Sequence, residues 1–409
     1  MYDCVIIGGG IAGLYTAYNL LNKNPSISLL LLEKNDYLGG RIYTVHKKGL
    51  TFEAGAGRFN DEHVILTRLI KNLGLQDLQI PIKSDIQFIP STKYPSEYIG
   101  KDPFDVMTPV LVRAKREKRS VLREQTFIEY ASGILSNQDL QFLKDSLGYY
   151  QQLVDMNAYD ALKLFDKGMH TSNQFYVLKG GLSQVIDKLY HHLSTKCKIA
   201  MSMEVTSIND HNGCFKIKTS KSEFIGKTCV VALPKPAIQK LPYFKSLRTK
   251  LDCVGIKTLC RIYAQYNKNA IWFKSIPKTT TNNHNRYIIP IDREKGLIMI
   301  SYTDSKFAHY WKRQTNHSRE QKLRENINKT FGFEISKPIY MKTCYWETGT
   351  SFWKPMCNSN LLSRQIMRPF QEKNIYICGE SFSMCQGWME GALETSEEVV
   401  DKVLDSLKK

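Results

Sequence analysis

The stretch Gly8-Gly9-Gly10-Ile11-Ala12-Gly13, which has the spacing G-x-G-x-x-G, is the part of this 409-residue sequence that decides the fold. It directly follows the apolar run 2–7, which is typical of a strand, and it opens a run over 11–21 with helix-spaced apolar residues. A second apolar run, 27–32, ends at Glu33. A glycine motif alone is a weak signal, but a strand, glycine turn, helix, strand and acid in this order indicate a dinucleotide-binding βαβ unit.

Three glycines of this turn have separate physical roles in binding a dinucleotide. Gly8 permits the tight turn, Gly10 lets the backbone approach a pyrophosphate, and Gly13 lets the helix pack closely against the strand. The helix N-terminus would add N–H donors and partial positive charge. A Glu33 carboxylate would accept hydrogen bonds from ribose hydroxyls and repel a 2′-phosphate, which argues against NADP. The expected contacts in this unit are Gly8, Gly10, Ala12, Gly13 and Glu33.

Length and composition restrict the class of protein. A chain of 409 residues with 42% hydrophobic, 11% aromatic and 23% charged residues is ordinary for a globular protein and has room for two or three domains. These values exclude disorder, collagen and coiled coil. No run approaches 18 apolar residues, so we expect no membrane-spanning helix. The apolar N-terminus carries Asp3 and is interrupted by glycines, so we do not expect a signal peptide.

The chain is strongly basic, with 57 Lys and Arg against 39 Asp and Glu and a formal net charge of +18. Such an excess is compatible with a phosphate-bearing cofactor, nucleic acid or an acidic membrane surface. The densest basic run lies between 113 and 123, which we interpret as one solvated face of a surface helix. Because no zinc spacing or RNA-binding signature accompanies it, we expect no nucleic-acid partner, although the charge alone is compatible with one.

The ten cysteines are scattered singly from Cys4 to Cys385, with no C-x-x-C pair, and several lie in apolar strand-like runs. This usage is typical of reduced, buried thiols, so we expect a cytoplasmic protein without a disulfide framework. The nine histidines form no H-E-x-x-H pattern. We therefore expect no metal site.

The rest of the chain alternates strand-like and helical patterns. Residues 104–165 contain few glycines or β-branched runs and are predicted to be helical, with Ser136 capping one helix. Short strands are predicted at intervals from 175 to 378, and a closing helix at 391–407. The segment Thr279–Asn285 is rich in Thr and Asn and is predicted to be an exposed loop. This alternation predicts an α/β fold with a helical insertion.

Beyond the glycine turn, seven sequence blocks resemble the flavin-containing amine oxidase family, which includes monoamine oxidases, polyamine oxidases and histone lysine demethylases. The first block is Leu38-Gly39-Gly40-Arg41-Ile42, and the most specific is Gly387-Trp388-Met389-Glu390-Gly391-Ala392. The others are Glu53-Ala54-Gly55-Ala56-Gly57-Arg58-Phe59, Gly180-Gly181, Met203-Glu204-Val205, Val230-Val231-Ala232-Leu233-Pro234 and Cys378-Gly379-Glu380. They lie in the family's order and bracket almost the whole chain.

This resemblance implies FAD rather than NAD as the cofactor. A dinucleotide as long as FAD needs contacts beyond one βαβ unit, so residues distant in sequence must return to it. Arg41 would pair with the pyrophosphate, the Val205 backbone with the adenine, and Glu380 with the ribityl–pyrophosphate region. The Met389 N–H would face flavin O2, where a donor and a helix dipole stabilise negative charge on reduced flavin. The implied cofactor contacts are Gly40, Arg41, Gly57, Arg58, Val205, Glu380 and Met389.

The mode of flavin attachment also follows from the resemblance. Monoamine oxidases carry a Ser-Gly-Gly-Cys-Tyr segment whose cysteine bonds the flavin, whereas the matching region here, 345–355, has no cysteine. Cys357 and Cys385 lie nearby but lack that context. We therefore expect non-covalent FAD.

The family's substrate site is an apolar slot roofed by aromatic rings over the flavin. Trp388 occupies the family's aromatic position, and Phe352 or Trp353 would form the opposing wall, with plain core packing as the alternative for each. Stacked rings would orient a neutral amine and disfavour water.

One position departs from the family's pattern. The family commonly has a lysine, on a strand before an aromatic-Trp segment, that holds a water at flavin N5. Aligning 261–266 and the following 271–273 with this pattern puts Arg261 at the lysine position, and Lys257 is the alternative if the register slips by four. Because arginine is longer, planar and always charged, it is not an equivalent replacement.

We therefore predict an α/β protein with a discontinuous Rossmann-like FAD-binding domain and a mixed α+β substrate domain. The FAD-binding domain would comprise 1–75, 175–245 and 360–409, and the substrate domain 76–174 and 246–359. The predicted reaction is hydride transfer from the α-carbon of a small-molecule amine to flavin N5, followed by imine hydrolysis and flavin reoxidation by O2. The alternatives are a desaturase or protoporphyrinogen-type oxidase on the same scaffold, a lysine demethylase, and a non-enzymatic flavoprotein.

Overall fold

The computed structural model describes residues 1–168 and 173–408. In these residues the strands are β1 (Tyr2–Ile7), β2 (Leu29–Leu32), β3 (Thr44–Lys47), β4 (Leu50–Glu53), β5 (Phe59–Asn60), β6 (Gln79–Ile82), β7 (Gln87–Phe88), β8 (Phe175–Leu178), β9 (Lys198–Ala200), β10 (Val205–His211), β11 (Cys214–Thr219), β12 (Glu223–Val231), β13 (Val254–Gln265), β14 (Thr279–Thr280), β15 (Tyr287–Asp292), β16 (Leu297–Asp304), β17 (Tyr340–Trp353) and β18 (Ile375–Ile377).

The α-helices of the same residues are α1 (Ile11–Lys23), α2 (Val64–Asn72), α3 (Pro103–Ala114), α4 (Arg119–Glu124), α5 (Phe127–Ser132), α6 (Asn137–Ser146), α7 (Tyr150–Val154), α8 (Ala158–Lys163), α9 (Ser183–Leu193), α10 (Lys235–Ile238), α11 (Arg248–Asp252), α12 (Ser305–Lys312), α13 (Asn316–Phe331), α14 (Ser359–Met367) and α15 (Met389–Leu407).

The first sheet has the strand order β10–β11–β12–β1–β2–β9, and β18 also pairs with β12. Strand β1 runs parallel to β2 and β12, with Ile6 opposite Leu31 and Val230. All of β2 and the second half of β1 are buried, as continuous apolar runs predict for a parallel sheet covered on both faces. The carboxyl ends of β1 and β2 therefore meet at one edge, where the glycine turn and Glu33 lie.

Helices cover both faces of this sheet. On one face, Ile6 and Leu31 pack with α1, α9 and α15 in one apolar cluster. On the other face, Val5 and Leu30 pack with apolar residues from 238 to 254 and from α14. Since successive residues of a strand point to opposite faces, β1 and β2 each contribute side chains to the apolar clusters on both faces of the sheet. The predicted α/β class with a Rossmann-like sheet is confirmed.

The second sheet has the order β17–β13–β16–β15–β14–β7. Strand β13, next to the edge strand β17, is antiparallel to both neighbours, with Arg261 opposite Tyr302 and Cys344. Helices α3–α8 supply most of one apolar cluster, which also includes Phe352 from β17, and α12 and α13 pack into another with Ile262. The predicted helical region 104–165 is confirmed, and Ser136 forms a capping box with Asp139 at the start of α6.

Two predictions about polar segments are wrong. Thr279–Asn285 is not an exposed loop, because Thr279 and Thr280 form β14 and the Asn285 side chain is fully buried. Asn283 donates hydrogen bonds to the Asn326 carbonyl and the Thr330 hydroxyl in α13, which replace water. The basic run 113–123 is not one helix face either, since α3 ends at Ala114 and α4 begins at Arg119.

The expectation of reduced thiols is wrong for one pair of cysteines. Cys253 and Cys357 form a disulfide across a sequence separation of 104 residues. Their neighbours explain the contact, because Val254 pairs with Trp353 where β13 and β17 meet. The other cysteines of the described chain are free, and most are buried. A cytoplasmic location stays a prediction.

None of the helices in the described residues has the length and apolar character needed to cross a membrane.

Candidate active site

The glycine turn adopts the close-packed geometry that its motif predicts. A Cβ on Gly13 would lie 2.0 Å from the Gly8 carbonyl oxygen, and one on Gly8 would lie 2.5 Å from the Ala232 carbonyl oxygen, so both positions require glycine. A Cβ on Gly10 would meet nothing within 4 Å. Ala12 differs from these glycines, because it lies in the core cluster beneath the turn. The open space is thus at Gly10.

Helix α1 begins at this open space without a side-chain cap on its Gly10 N-cap. The first N–H groups of a helix have no partner within the helix, and they carry partial positive charge. Open space, uncapped donors and a tight glycine turn together fit the pyrophosphate of a dinucleotide.

Glu33 is tied to the glycine turn from the end of β2. Its Oε2 accepts a hydrogen bond of 2.7 Å from the Gly9 N–H, and its Oε1 accepts one of 2.9 Å from the Asn35 N–H. The Glu33 carbonyl accepts from the Met203 N–H at 2.8 Å, which brings the block that ends at Val205 to the same edge. Val205, half-buried at the start of β10, therefore lies close to the acid in space. Ribose and adenine contacts at these residues stay predictions.

Arg41 and Glu380 form an ion pair that sequence reasoning did not predict. Arg41 Nη1 lies 2.8 Å from Glu380 Oε2 and also donates to the Gly349 carbonyl at 3.1 Å. Glu380 Oε1 accepts from the backbone N–H groups of Ser351 and Gly387, at 2.8 and 2.7 Å. The carboxylate thus connects the Gly-Gly-Arg block to β17 and to the chain before α15.

The Gly-Gly-Arg block itself lies against the glycine turn. Gly39 and Gly10 form an isolated parallel β-bridge. A Cβ on Gly40, which has φ +58°, would lie 3.5 Å from the Gly10 Cα. The structure therefore brings together Gly10, Gly40, Arg41 and Glu380, although about 340 residues of chain lie between the last two. These residues, with the uncapped N-terminus of α1 beside them, fit FAD.

Helix α15 begins at Met389, and its N-cap Trp388 provides no side-chain cap. The N–H groups of its first turn are therefore available to an electronegative atom, as predicted for flavin O2. The next residue, Glu390, accepts from the Ile65 and Leu66 N–H groups at 2.7 and 2.9 Å. Glu390 thereby caps α2 and holds it against the start of α15.

Trp388 belongs to a set of aromatic residues from distant parts of the chain, which we call the ring cluster. Its members are His63, Tyr149, Phe175, Tyr287, Tyr302 and Trp388. The His63 ring lies 4.7 Å from the Trp388 ring and Phe175 lies 6.3 Å from it, centroid to centroid. The three tyrosine rings lie 5.1 to 6.2 Å from one another. No motif marks the tyrosines, so sequence reasoning missed them.

The two candidates for the wall opposite Trp388 point in different directions. Phe352 packs in the same apolar cluster as Trp388. Trp353 packs in the cluster on the far side of the first sheet and donates a 3.0 Å hydrogen bond to the Ser383 carbonyl. Because neighbouring residues of a strand face opposite sides, only Phe352 shares the surroundings of Trp388.

Arg58 joins the two halves of the ring cluster. Its guanidinium carbon lies 4.2 Å from the Phe175 centroid and 6.0 Å from the Trp388 centroid, and Nη2 donates to the Tyr149 hydroxyl at 3.1 Å. Gly57, just before it, faces the Arg261 guanidinium, which a Cβ would approach to 3.0 Å. Arg58, predicted as a cofactor contact, is thus surrounded by aromatic rings.

Arg261 and Lys257 both contact the ring cluster from β13. The Arg261 guanidinium lies 4.8 Å from the Tyr302 centroid and donates to the Glu53 carbonyl at 3.0 Å. Lys257 Nζ lies 5.3 Å from the Tyr149 centroid and 3.3 Å from Asp304 Oδ2, with both side chains nearly inaccessible. Lys257 is therefore paired with the buried Asp304 carboxylate, whereas Arg261 contacts a backbone carbonyl and the face of the Tyr302 ring.

Burial controls the ionisation of two further groups here. It lowers the pKa of His63 to about 4, with the charge of Arg58 adding to the effect, so the ring is neutral at pH 7. His63 Nδ1 accepts from the Asn60 N–H at 3.3 Å, and its buried Nε2 has no hydrogen-bond partner. Burial, followed by the charges of Glu394 and Glu390, raises the pKa of the Cys385 thiol.

Comparison with known proteins identifies one family over nearly the whole chain. The family model described as flavin containing amine oxidoreductase matches residues 11–404. Over 98% of this chain and 93% of its own length, an uncharacterized protein of Acanthamoeba polyphaga mimivirus is 21% identical.

Shorter matches are found to enzymes of two kinds. Amine oxidase [flavin-containing] A of Sus scrofa is 36% identical over 97 residues, which are 23% of this chain and 18% of that protein. Coproporphyrinogen III oxidase of Bacillus subtilis is 39% identical over 80 residues, or 19% of this chain and 17% of that protein. Each of these two matches spans less than a fifth of the relative.

Among solved structures, a double mutant of putrescine oxidase aligns over 99% of both chains with a TM-score of 0.79 and 13% identity. At this identity the match shows a shared fold.

Proposed function

The chain belongs to the flavin-containing amine oxidoreductase family, and from this we propose that it is an FAD-dependent oxidase of a small-molecule amine with O2 as electron acceptor. When bound, FAD would supply the two-electron chemistry by accepting a hydride from the carbon next to the amine nitrogen and reducing O2. The observation that carries the proposal is the start of α15, where uncapped N–H groups at Met389 adjoin the Trp388 ring.

The ring cluster would position the substrate and limit water around the reacting carbon. Trp388 and Phe352 present apolar surface from two elements, and His63 is neutral at pH 7. A neutral amine keeps the lone pair that assists hydride loss, and an apolar aromatic wall favours that neutral form. Arg261 or Lys257 would hold the water at the reactive edge of the cofactor.

Cofactor binding is proposed to use residues of the first sheet and its edge. Gly10 and the start of α1 would receive the pyrophosphate with Arg41, and Glu33 would receive the ribose hydroxyls. We also propose that 1–75, 175–245 and 360–409 form the FAD-binding domain, with 76–174 and 246–359 forming the substrate domain. In support, the first sheet takes its strands from residues 2–32, 198–231 and 375–377.

Flavin attachment is proposed to be non-covalent. Cys357 is committed to a disulfide with Cys253, and the raised pKa of Cys385 disfavours the thiolate needed for attack. Acid or heat denaturation of the yellow protein should release FAD into the supernatant. Flavin retained on the precipitated polypeptide would contradict this attachment.

The reaction class is tested by anaerobic flavin bleaching. The holoenzyme is mixed with amines, porphyrinogens or polyenes, and absorbance of the oxidised flavin is followed before and after O2 is admitted. Bleaching by amines alone supports the proposal. Bleaching by porphyrinogens alone would assign the second candidate reaction, which the local match to coproporphyrinogen III oxidase favours.

A further inference from the structure

Arg58 and Lys278 contact the ring cluster, as Arg261 does, and have no carboxylate within ion-pair distance in the described part of the chain. Arg58 makes its polar contact with the Tyr149 hydroxyl, and Lys278 Nζ lies 3.5 Å from the Ser84 carbonyl and 5.7 Å from the Tyr287 centroid. Since the Tyr149 and Tyr287 rings are 5.1 Å apart, the two cations flank one tyrosine pair. Among the ion pairs of residues 1–168 and 173–408, none includes Arg58 or Lys278.

The carboxylates near these cations are paired with other groups or exposed, apart from the buried Oδ1 of Asp304, which has no hydrogen-bond partner. Asp304 Oδ2 pairs with Lys257 and accepts from the Gln151 N–H. The Glu53 carboxylate accepts from the Leu182 N–H and the Thr44 hydroxyl. Asp85 is exposed to solvent, and its charge acts on Lys278 although the two residues form no ion pair in the described chain. Neither Arg58 nor Lys278 is therefore held in an ion pair among the described residues.

Two further observations indicate an acceptor-rich ligand. The buried Nε2 of His63, next to Trp388, has no hydrogen-bond partner, and the neutral ring with Nδ1 accepting carries its proton on Nε2. Burial lowers the pKa of Lys278 well below its ordinary value; the charge of Arg58 adds to this effect, and the charge of Asp85 opposes it. Unpartnered cations and donors in a partly buried region are unfavourable until an anion binds.

We propose that Arg58 and Lys278 bind a carboxylate of the substrate, so that the molecule oxidised by this protein bears an anionic group, unlike a simple monoamine or polyamine. The inference rests on the proposed function for the reaction but not for the binding. An arginine fork pairs well with a carboxylate, and a lysine adds a point charge beside it. The same cations would repel a diamine.

Two sources of carboxylate are chemically compatible with the site. An α-amino acid presents one carboxylate next to the amine carbon, whereas a tetrapyrrole presents propionates around a large ring. The probes are therefore 3-phenylpropionate for the first source and coproporphyrin III for the second. Phenethylamine and the coproporphyrin tetramethyl ester are the matched probes that lack the negative charge.

Binding is measured on the FAD-loaded protein by equilibrium dialysis and by perturbation of the flavin spectrum, without turnover. We expect at least one carboxylate probe to bind at least tenfold more tightly than its matched probe. Lys278→Met and Arg58→Met should each weaken that binding about ten- to hundredfold, as expected for a charge-assisted hydrogen bond. Lys274→Met, at an exposed lysine nearby in the chain, is the control and should leave binding unchanged.

Arg58→Lys keeps the charge and should recover part of the affinity, so the inference does not depend on Arg58→Met folding. Equal affinity for charged and uncharged probes, or unchanged binding in Lys278→Met, would overturn the inference even if amines bleach the flavin. Tight carboxylate binding without bleaching by any amine would instead overturn the proposed function and leave the inference standing.

Discussion

Two regions of the molecule hold their charged side chains in opposite ways. One is the edge of the first sheet where the glycine turn, Arg41 and Glu380 lie, and the other is the ring cluster. At the edge, Arg41 and Glu380 are paired at 2.8 Å, and the carboxylate accepts two further backbone hydrogen bonds. In the ring cluster, Arg58 and Lys278 face aromatic rings and have no carboxylate partner among the described ion pairs. At the edge the arginine is already paired with a carboxylate, whereas the two cations beside the ring cluster are not.

The comparison is tested most strongly at Glu380. Glu380→Ala removes the partner of Arg41 and the acceptor of the Ser351 and Gly387 N–H groups, so unfolding in urea should show a loss of about 3–5 kcal/mol. Glu398→Ala, at an exposed position of α15, is the control and should change stability by less than about 0.5 kcal/mol. A loss below about 1 kcal/mol at Glu380 would mean that the edge is not held by this network.

The pH dependence of stability tests His63 in the ring cluster. Its pKa is about 4 in the folded protein against an ordinary value of 6.5, so the unfolded chain binds the proton first as pH falls. Stability should therefore decrease between pH 6.5 and 4, by up to about 3 kcal/mol. His63→Phe should flatten this part of the profile measured by urea denaturation, while His46→Gln, at an exposed histidine, should not.

Glu33 tests whether the edge binds ribose as its position suggests. Glu33→Ala removes a carboxylate that already orders the Gly9 and Asn35 N–H groups. FAD affinity, measured by fluorescence titration of the cofactor-free protein, should fall by about 1–3 kcal/mol. Glu62→Ala, on the exposed surface, serves as control. Unchanged affinity would show that this acid only shapes the turn.

Lys278 tests the other half of the comparison, the unpaired charge beside the ring cluster. Because its ammonium lies in a partly buried, unpaired position, Lys278→Met should raise the free energy of unfolding of the ligand-free protein by about 1 kcal/mol. Thermal denaturation without 3-phenylpropionate measures the effect of the substitution on stability, and the same measurement with 3-phenylpropionate measures its effect on ligand binding. A destabilised variant would show that Lys278 contributes to packing rather than to an open binding site.

The smallest expected effect is the kinetic difference between Arg261 and Lys257. If Arg261 faces the reactive edge of the flavin, Arg261→Lys should change reoxidation by O2 severalfold and amine-driven reduction less, while Arg261→Met impairs both. Stopped-flow absorbance resolves the two half-reactions. Wild-type rates in both Arg261 variants would remove this residue from the site, and Lys257→Met would then be the variant to measure.

Most of the edge could be predicted from sequence because its residues lie in short blocks with fixed spacing. The turn Gly8–Gly13 has one backbone solution that avoids the 2.0 Å contact at Gly13, and Glu33 follows at the end of the adjacent parallel strand. Strand β1 has the bounds that its apolar pattern predicts, for the same reason. Local geometry and hydrophobic patterning decide such features.

The remaining features depended on contacts between distant segments. The Arg41–Glu380 pair and the Cys253–Cys357 disulfide each join residues more than 100 positions apart. Thr279–Asn285 is predicted to be an exposed loop because its own composition does not indicate its hydrogen-bond partners in α13.

The sequence by itself therefore determined the dinucleotide-binding unit, the parallel sheet and the family. Only the tertiary structure decided that Phe352 rather than Trp353 shares the surroundings of Trp388, and that Arg58 and Lys278 flank one tyrosine pair. The physical reason is that a turn or strand is specified by neighbours within a few residues. The balance of charge in a binding site is instead specified by side chains that meet only after the chain has folded.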